Sequence, residues 1–155
     1  MSATEPEKKT ARPVTPRNRA RRLAVQTLYG WLLNPRDAAA LKAEARLDEE
    51  FPKADAALLD RLLDGVTGEA GALRARLTPY LDRSVDSLSP VEHVILLMGA
   101  HELVTHVETP YRVIISEAIE LAKRFGGTDG HKYVNGVLDR LAGDVRADEK
   151  ARRPG

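Results

Sequence analysis

The chain has no cysteine among its 155 residues. That absence removes disulfides, thiolate zinc sites and a cysteine nucleophile together, and it fits a reducing compartment. No apolar run approaches the roughly 18 residues that a membrane-spanning helix needs. The opening stretch MSATEPEKKTARPVTPRNRA is polar and lacks the apolar centre of a secretory signal, so a cytoplasmic protein is the expectation. No segment alternates apolar and polar residues as a half-buried strand would, and no internal repeat is visible. With aromatics at only 5 % and hydrophobic residues at 43 %, any core must be aliphatic, and the length suits one domain.

Catalytic constellations are missing as well. His101 and Glu102 are followed by His106, five residues after the first histidine, whereas a helical zinc-protease pair needs a spacing of four. His93, His101 and His106 do not share one helical face closely, so no metal site is expected. The stretch RFGGTDGHK is glycine-rich, but it follows a helical pattern rather than a strand and lacks the Gly-Lys-Ser/Thr of a phosphate loop. A helix C-cap followed by a turn accounts for it better. No Gly-x-Ser-x-Gly elbow occurs. The residues describe no enzyme and call for no cofactor.

What is present is a set of well-punctuated helices. Residues 1–15 are rich in Pro, Thr, Glu and Lys and read as a disordered basic arm. Pro16 suits a first helical turn, and the helix it opens runs to Asn34–Pro35, with Ala24, Leu28 and Trp31 as its apolar stripe. Residues 37–47 form a second, alanine-rich helix. Residues 56–77 form a third, carrying Leu58, Leu59, Leu62, Leu63, Val66 and Leu73, with Gly65, Gly68 and Gly71 as weak points or sites of close packing. Ser89, Pro90 and Glu92 read as a capping box, and Thr109–Pro110 as a second opening of the same kind. Gly126–Gly127 then ends a helix, and Val134, Val137, Leu138 and Leu141 mark the last one. The expectation is an all-α fold of six or seven helices over 16–145, with 146–155 a flexible tail.

The net charge of +1 hides an asymmetry: residues 1–22 sum to +5 and the rest to −4. Arg17, Arg19, Arg21 and Arg22 fall within six positions at a helix start, where cations oppose the helix dipole by a few tenths of a kcal/mol each. A polyanionic partner would offset that cost. On a helix, Arg19, Arg22, Gln26 and Tyr29 make one stripe of guanidinium forks, an amide and a ring, which suits phosphates and bases. Arg17 and Arg21 are expected to protrude beyond the bundle end.

A second surface gathers Lys123, Arg124, Phe125, Asp129, His131, Lys132 and Tyr133 around the glycine turn. Rings beside cations suit single-stranded RNA. Aromatics at helix ends more often pack inward, and the residues alone favour that plainer reading for Phe125 and Tyr133.

The run Arg19-Ala20-Arg21 with Ala24-Val25-Gln26-Thr27-Leu28-Tyr29, then GVTGE, SPVEHVILLMGAHEL, TPYRVIISEAIELAKRFG and HKYVNGVLDRL, together resemble the NusB family of bacterial transcription antitermination factors. The resemblance covers residues 17–142, and its most specific segments are VIISEAIELAKRFG and KYVNGVLD. It implies two small helical bundles packed crosswise. It also implies binding of boxA RNA in nascent transcripts of ribosomal RNA operons, jointly with the ribosomal protein NusE and with NusA and NusG on RNA polymerase. By matching position it places Arg17, Arg19, Arg21 and Arg22 in the arginine-rich RNA segment, with Tyr29 on the same helix. Phe125 and Tyr133 match an aromatic pair flanking the glycine turn, Asp129 lies in a turn to which RNA affinity is sensitive, and Glu92 lies near the junction of RNA and NusE. Asn18 stands where a basic residue is common, and Tyr133 where phenylalanine is usual. The family includes monomers and homodimers, and a homodimer would mask the RNA surface.

Two other readings stand beside this one. NusB-like domains also precede ribosomal RNA cytosine methyltransferases, but those need catalytic cysteines and a Rossmann-like domain, and neither pattern is found here. A protein-interaction module without sequence-specific RNA binding would leave the arginine stripe dispensable.

Overall fold

The computed structural model describes residues 13–127 and 129–152. The arm residues Lys8, Lys9 and Arg12, and the end of the tail at 153–155, lie outside the described residues. Among the described residues there are seven α-helices and no strand: α1 (Pro16–Leu33), α2 (Ala38–Arg46), α3 (Ala56–Leu77), α4 (Pro90–Thr105), α5 (Tyr111–Phe125), α6 (Gly130–Val145) and α7 (Ala147–Arg152). Short 3₁₀ turns at Phe51–Lys53, Thr78–Tyr80 and Val85–Ser87 join them.

The helix ends follow from local chemistry. Thr15 Oγ1 accepts from the Asn18 amide at 3.1 Å while Asn18 Oδ1 accepts from the Thr15 amide at 2.9 Å, a reciprocal box ahead of Pro16. Such a cap stabilises a helix by about 1 kcal/mol. Asp37 and Asp55 cap α2 and α3 through Ala40 N and Leu58 N. Ser89 Oγ accepts from Glu92 N at 3.2 Å, but only this half of the expected box forms; the Glu92 carboxylate lies against Gly130 instead. At Thr109–Pro110 the expected opening is also altered. Pro110 is the N-cap itself, and the Tyr111 amide donates to Glu149 Oε2 at 3.0 Å, a cap supplied from α7.

Helix α4 is the hub. His93 through Leu103 are all buried, so it is enclosed on every side. It packs on α1 and α3 on one side and on α5 and α6 on the other, giving an N-terminal group (α1–α3) and a C-terminal group (α4–α6) around one aliphatic core. Leu28, Leu59, Leu62, Leu63, Ile95, Leu96 and Leu97 are fully buried, each removing side-chain area worth about 2 kcal/mol from water. Of the three glycines in α3, only Gly65 answers to close packing: a Cβ there would fall 2.1 Å from His101 Cε1, whereas Gly68 and Gly71 face open space. A kink at Glu69 follows Gly68.

Two parts of the chain differ from expectation. Residues 147–152 are helical, and Arg146 is buried. Its guanidinium donates to the carbonyls of Leu103 (2.8 Å), His106 (2.9 Å) and Thr109 (3.0 Å), closing the end of α4. An arginine beyond the last apolar periodicity carries no signal for this, because these three partners are backbone carbonyls at the end of α4 and in the turn after it. Gly126 ends α5 with φ at −97°, not in the left-handed region; glycine is required because a Cβ would sit 2.8 Å from Ala122 O.

Candidate nucleic-acid interface

The capped start of α1 fixes the phase of its arginines. Arg17 lies 3.6 Å from Asp55, and Arg19 Nε donates to Glu50 Oε1 at 3.0 Å. Arg22, Gln26 and Tyr29 continue the stripe, with Gln26 exposed and Tyr29 40 % exposed. Asn18 does structural work: besides its box with Thr15, its amide donates to Glu117 Oε1 on α5 at 2.6 Å. The departure from a basic residue at this position thus serves to tie α1 to α5.

Arg21 does not belong to this surface. It is 2 % exposed and forms a two-pronged pair with Glu102 of α4, Nη2 to Oε1 at 2.8 Å and Nε to Oε2 at 3.0 Å. The reason is helical phase: Arg21 precedes Ala24, Val25 and Leu28 on the inward stripe, so it points at the hub helix rather than past it. Burial alone would push the Glu102 carboxyl up, but the two hydrogen bonds from Arg21, with the His106 ring 3.6 Å away, hold it down at about 2.

The fold brings the two basic segments together. Arg19, Arg22, Leu23, Gln26 and Arg124 line one open groove beside α1 and the end of α5, and Asp48, Glu49 and Glu50 line it with them. Partial burial first, and then the like charges of Arg124 and Arg19, push the Arg22 guanidinium below its ordinary value. A guanidinium whose charge is disfavoured in this way is relieved by a bound anion. Arg124 also lies over the Phe125 ring, 5.7 Å from its centroid.

Beyond that turn stands a second group. Glu92 Oε2 is so near Gly130 that a Cβ there would come within 2.9 Å. The Tyr133 ring is covered by Arg83 at 4.2 Å, and its hydroxyl accepts from Asp82 N at 3.4 Å. Phe125 and Tyr133 are both half-buried and packed against the core, each leaving an accessible edge. The inward and the surface readings of these rings therefore each hold for part of the side chain. Asp129 is exposed, 3.5 Å from Lys132. Sequence reasoning missed Arg83, which sits in a segment with no periodicity to interpret. Among the described residues no cluster of His, Asp and Glu has the geometry to hold a metal ion.

The comparisons with known proteins agree on one family. The model of the NusB family matches residues 18–143. A transcription antitermination protein NusB from Ralstonia nicotianae is 53 % identical over 148 residues, spanning 96 % of each chain. One from Bordetella pertussis is 54 % identical over 142 residues, covering 89 % of this chain and 92 % of its own. The solved structure of T. maritima NusB superposes with a TM-score of 0.76 at 30 % identity, over 88 % of this chain and 98 % of that one.

Proposed function

The chain belongs to the NusB family of transcription antitermination proteins, and from that premise we propose that it captures boxA RNA in nascent ribosomal RNA transcripts together with NusE. The observation that carries this reading is the convergence of Arg19, Arg22 and Arg124 on one groove, with Arg22 held in an environment that disfavours its charge.

In this mechanism the phosphates lie on Arg19, Arg22 and Arg124, and Arg17 and Arg19 exchange their carboxylate partners, Asp55 and Glu50, for phosphate oxygens. Exposed ion pairs of this kind are worth about 1 kcal/mol or less, so the exchange is inexpensive. Bases stack on Tyr29 and on the open edges of Phe125 and Tyr133. Gln26 and Glu92 supply polar contacts, and Asp129 sets the shape and charge of the turn. NusE docks on an edge of the helices after Ser89 and adds its own base contacts. The binary complex then joins NusA and NusG on RNA polymerase in the cytoplasm. A homodimer that covered α1 would compete with RNA. The protein acts by binding rather than by catalysis.

Reversing both Arg19 and Arg22 to Glu tests the reading. RNA binding is expected to be lost while NusE binding survives. Unchanged RNA binding would sink the proposal and leave a protein-interaction module in its place.

A further inference from the structure

The groove that holds the arginines is not uniformly basic. Asp48, Glu49 and Glu50 line it together with Arg19, Arg22 and Arg124, and Gln26 lies along it. The three carboxylates are differently engaged. Glu50 is taken by Arg19 at 3.0 Å. Asp48 Oδ1 accepts from the Glu50 amide at 2.8 Å, which pins the turn. Glu49 is exposed and makes no ion pair or side-chain hydrogen bond among the described residues.

A phosphate chain cannot lie against these carboxylates without repulsion. A strand held by the arginines must therefore turn something else toward the acids, and the complementary group is a hydrogen-bond donor. We infer that the turn at 48–50 selects the base in this groove, Glu49 accepting from the amino edge of a base such as cytosine while the arginines hold the adjoining phosphate. The inference rests on the RNA-binding reading above. Carboxylates accept from the cytosine amino group in nucleic-acid recognition generally. Uracil presents a carbonyl oxygen at the same place, which a carboxylate repels. Gln26, exposed on α1, offers a second polar contact. The acidic turn thus trades total affinity for discrimination.

The test compares short single-stranded oligocytidylate and oligouridylate of equal length, which carry equal charge and differ in this edge. Binding is followed by fluorescence anisotropy with the wild-type chain and with Glu49→Ala, a substitution at an exposed turn. The wild type is expected to favour oligocytidylate by about fivefold or more. In Glu49→Ala that preference should collapse toward unity, mainly because oligouridylate binds better. If the wild type shows no preference, or if Glu49→Ala tightens both oligomers by the same factor, the turn only screens charge and the inference is overturned. A boxA-containing RNA runs alongside. If it binds while neither oligomer does, the inference alone falls; if it too fails to bind, the proposed function falls with it.

Discussion

Replacing Arg21 with alanine removes the guanidinium that faces Glu102 and leaves a carboxylate, itself 2 % exposed, without its two hydrogen bonds. In the native protein Glu102 is held at about 2 against an ordinary 4.5. At 1.36 kcal/mol per pH unit of difference, that amounts to about 3 kcal/mol of stability at neutral pH. Because the folded value is depressed, this stability is present above pH 4.5 and is lost as the pH falls toward 2. In Arg21→Ala the carboxyl remains buried, and its folded value moves above 4.5 instead. The sign then inverts: the variant is more stable near pH 5 than near pH 7, because the folded state binds the extra proton. Breaking one side of a buried pair costs about 3–5 kcal/mol. For a chain of this size the melting midpoint should fall by about 6–20 °C. The double variant Arg21→Met/Glu102→Leu should recover most of the loss, since apolar residues of similar volume replace a buried pair with little penalty. Urea titrations from pH 4.5 to 8 read all three chains. A loss below about 1 kcal/mol, or a variant whose stability stays level across that range as this group leaves the wild type's, would refute the reasoning. So would a fully stable Arg21→Ala protein with impaired RNA binding, which would return Arg21 to the surface.

Arg146→Ala should destabilise by about 2–4 kcal/mol, because four buried carbonyls around the end of α4 lose a charged donor; a change within 0.5 kcal/mol, roughly the scatter of surface substitutions, would contradict the clamp. Gly65→Ala places a methyl on the buried His101 ring, which already meets His106 edge-on with centroids 4.9 Å apart, so a loss of about 1–2 kcal/mol is expected despite the better helix propensity; stabilisation in a denaturant titration would show that the ring has room to move. Glu50→Gln frees Arg19 and should raise RNA affinity by roughly twofold to fivefold at low salt, the gain disappearing as salt is added; reduced affinity in the same titration would mean that Glu50 orients Arg19 for its ligand.

Much of the architecture is legible in the residues because its signals are local. Pro16 after Thr15, Asp37, the Ser89–Pro90 opening and the aliphatic period of 56–77 are each resolved within a turn or two of helix. The buried charges are different. Arg21 belongs by phase to the inward stripe of α1, but the arginines around it disguise it as one more surface cation. The informative partner signal lay 81 residues away, in Glu102 of a helix buried on all sides. Arg146 has no apolar stripe to announce its burial, because besides Glu149 it answers to carbonyls. The groove is non-local too. Arg19 and Arg22 were visible as a stripe and Arg124 as part of a second surface, but only the packing of α1 beside α5 joins them, and only the turn at 48–50 brings carboxylates to the same groove.

The most direct test of the central claim is a salt titration of a fluorescent boxA-containing RNA against a scrambled RNA, with and without NusE. The account predicts that boxA binds more tightly, that NusE strengthens it, and that affinity falls steeply with salt, the slope dropping by about 0.7 for each of Arg19, Arg22 and Arg124 removed. Equal binding of the two RNAs in the presence of NusE, or a slope unchanged by removing the three arginines, would contradict it.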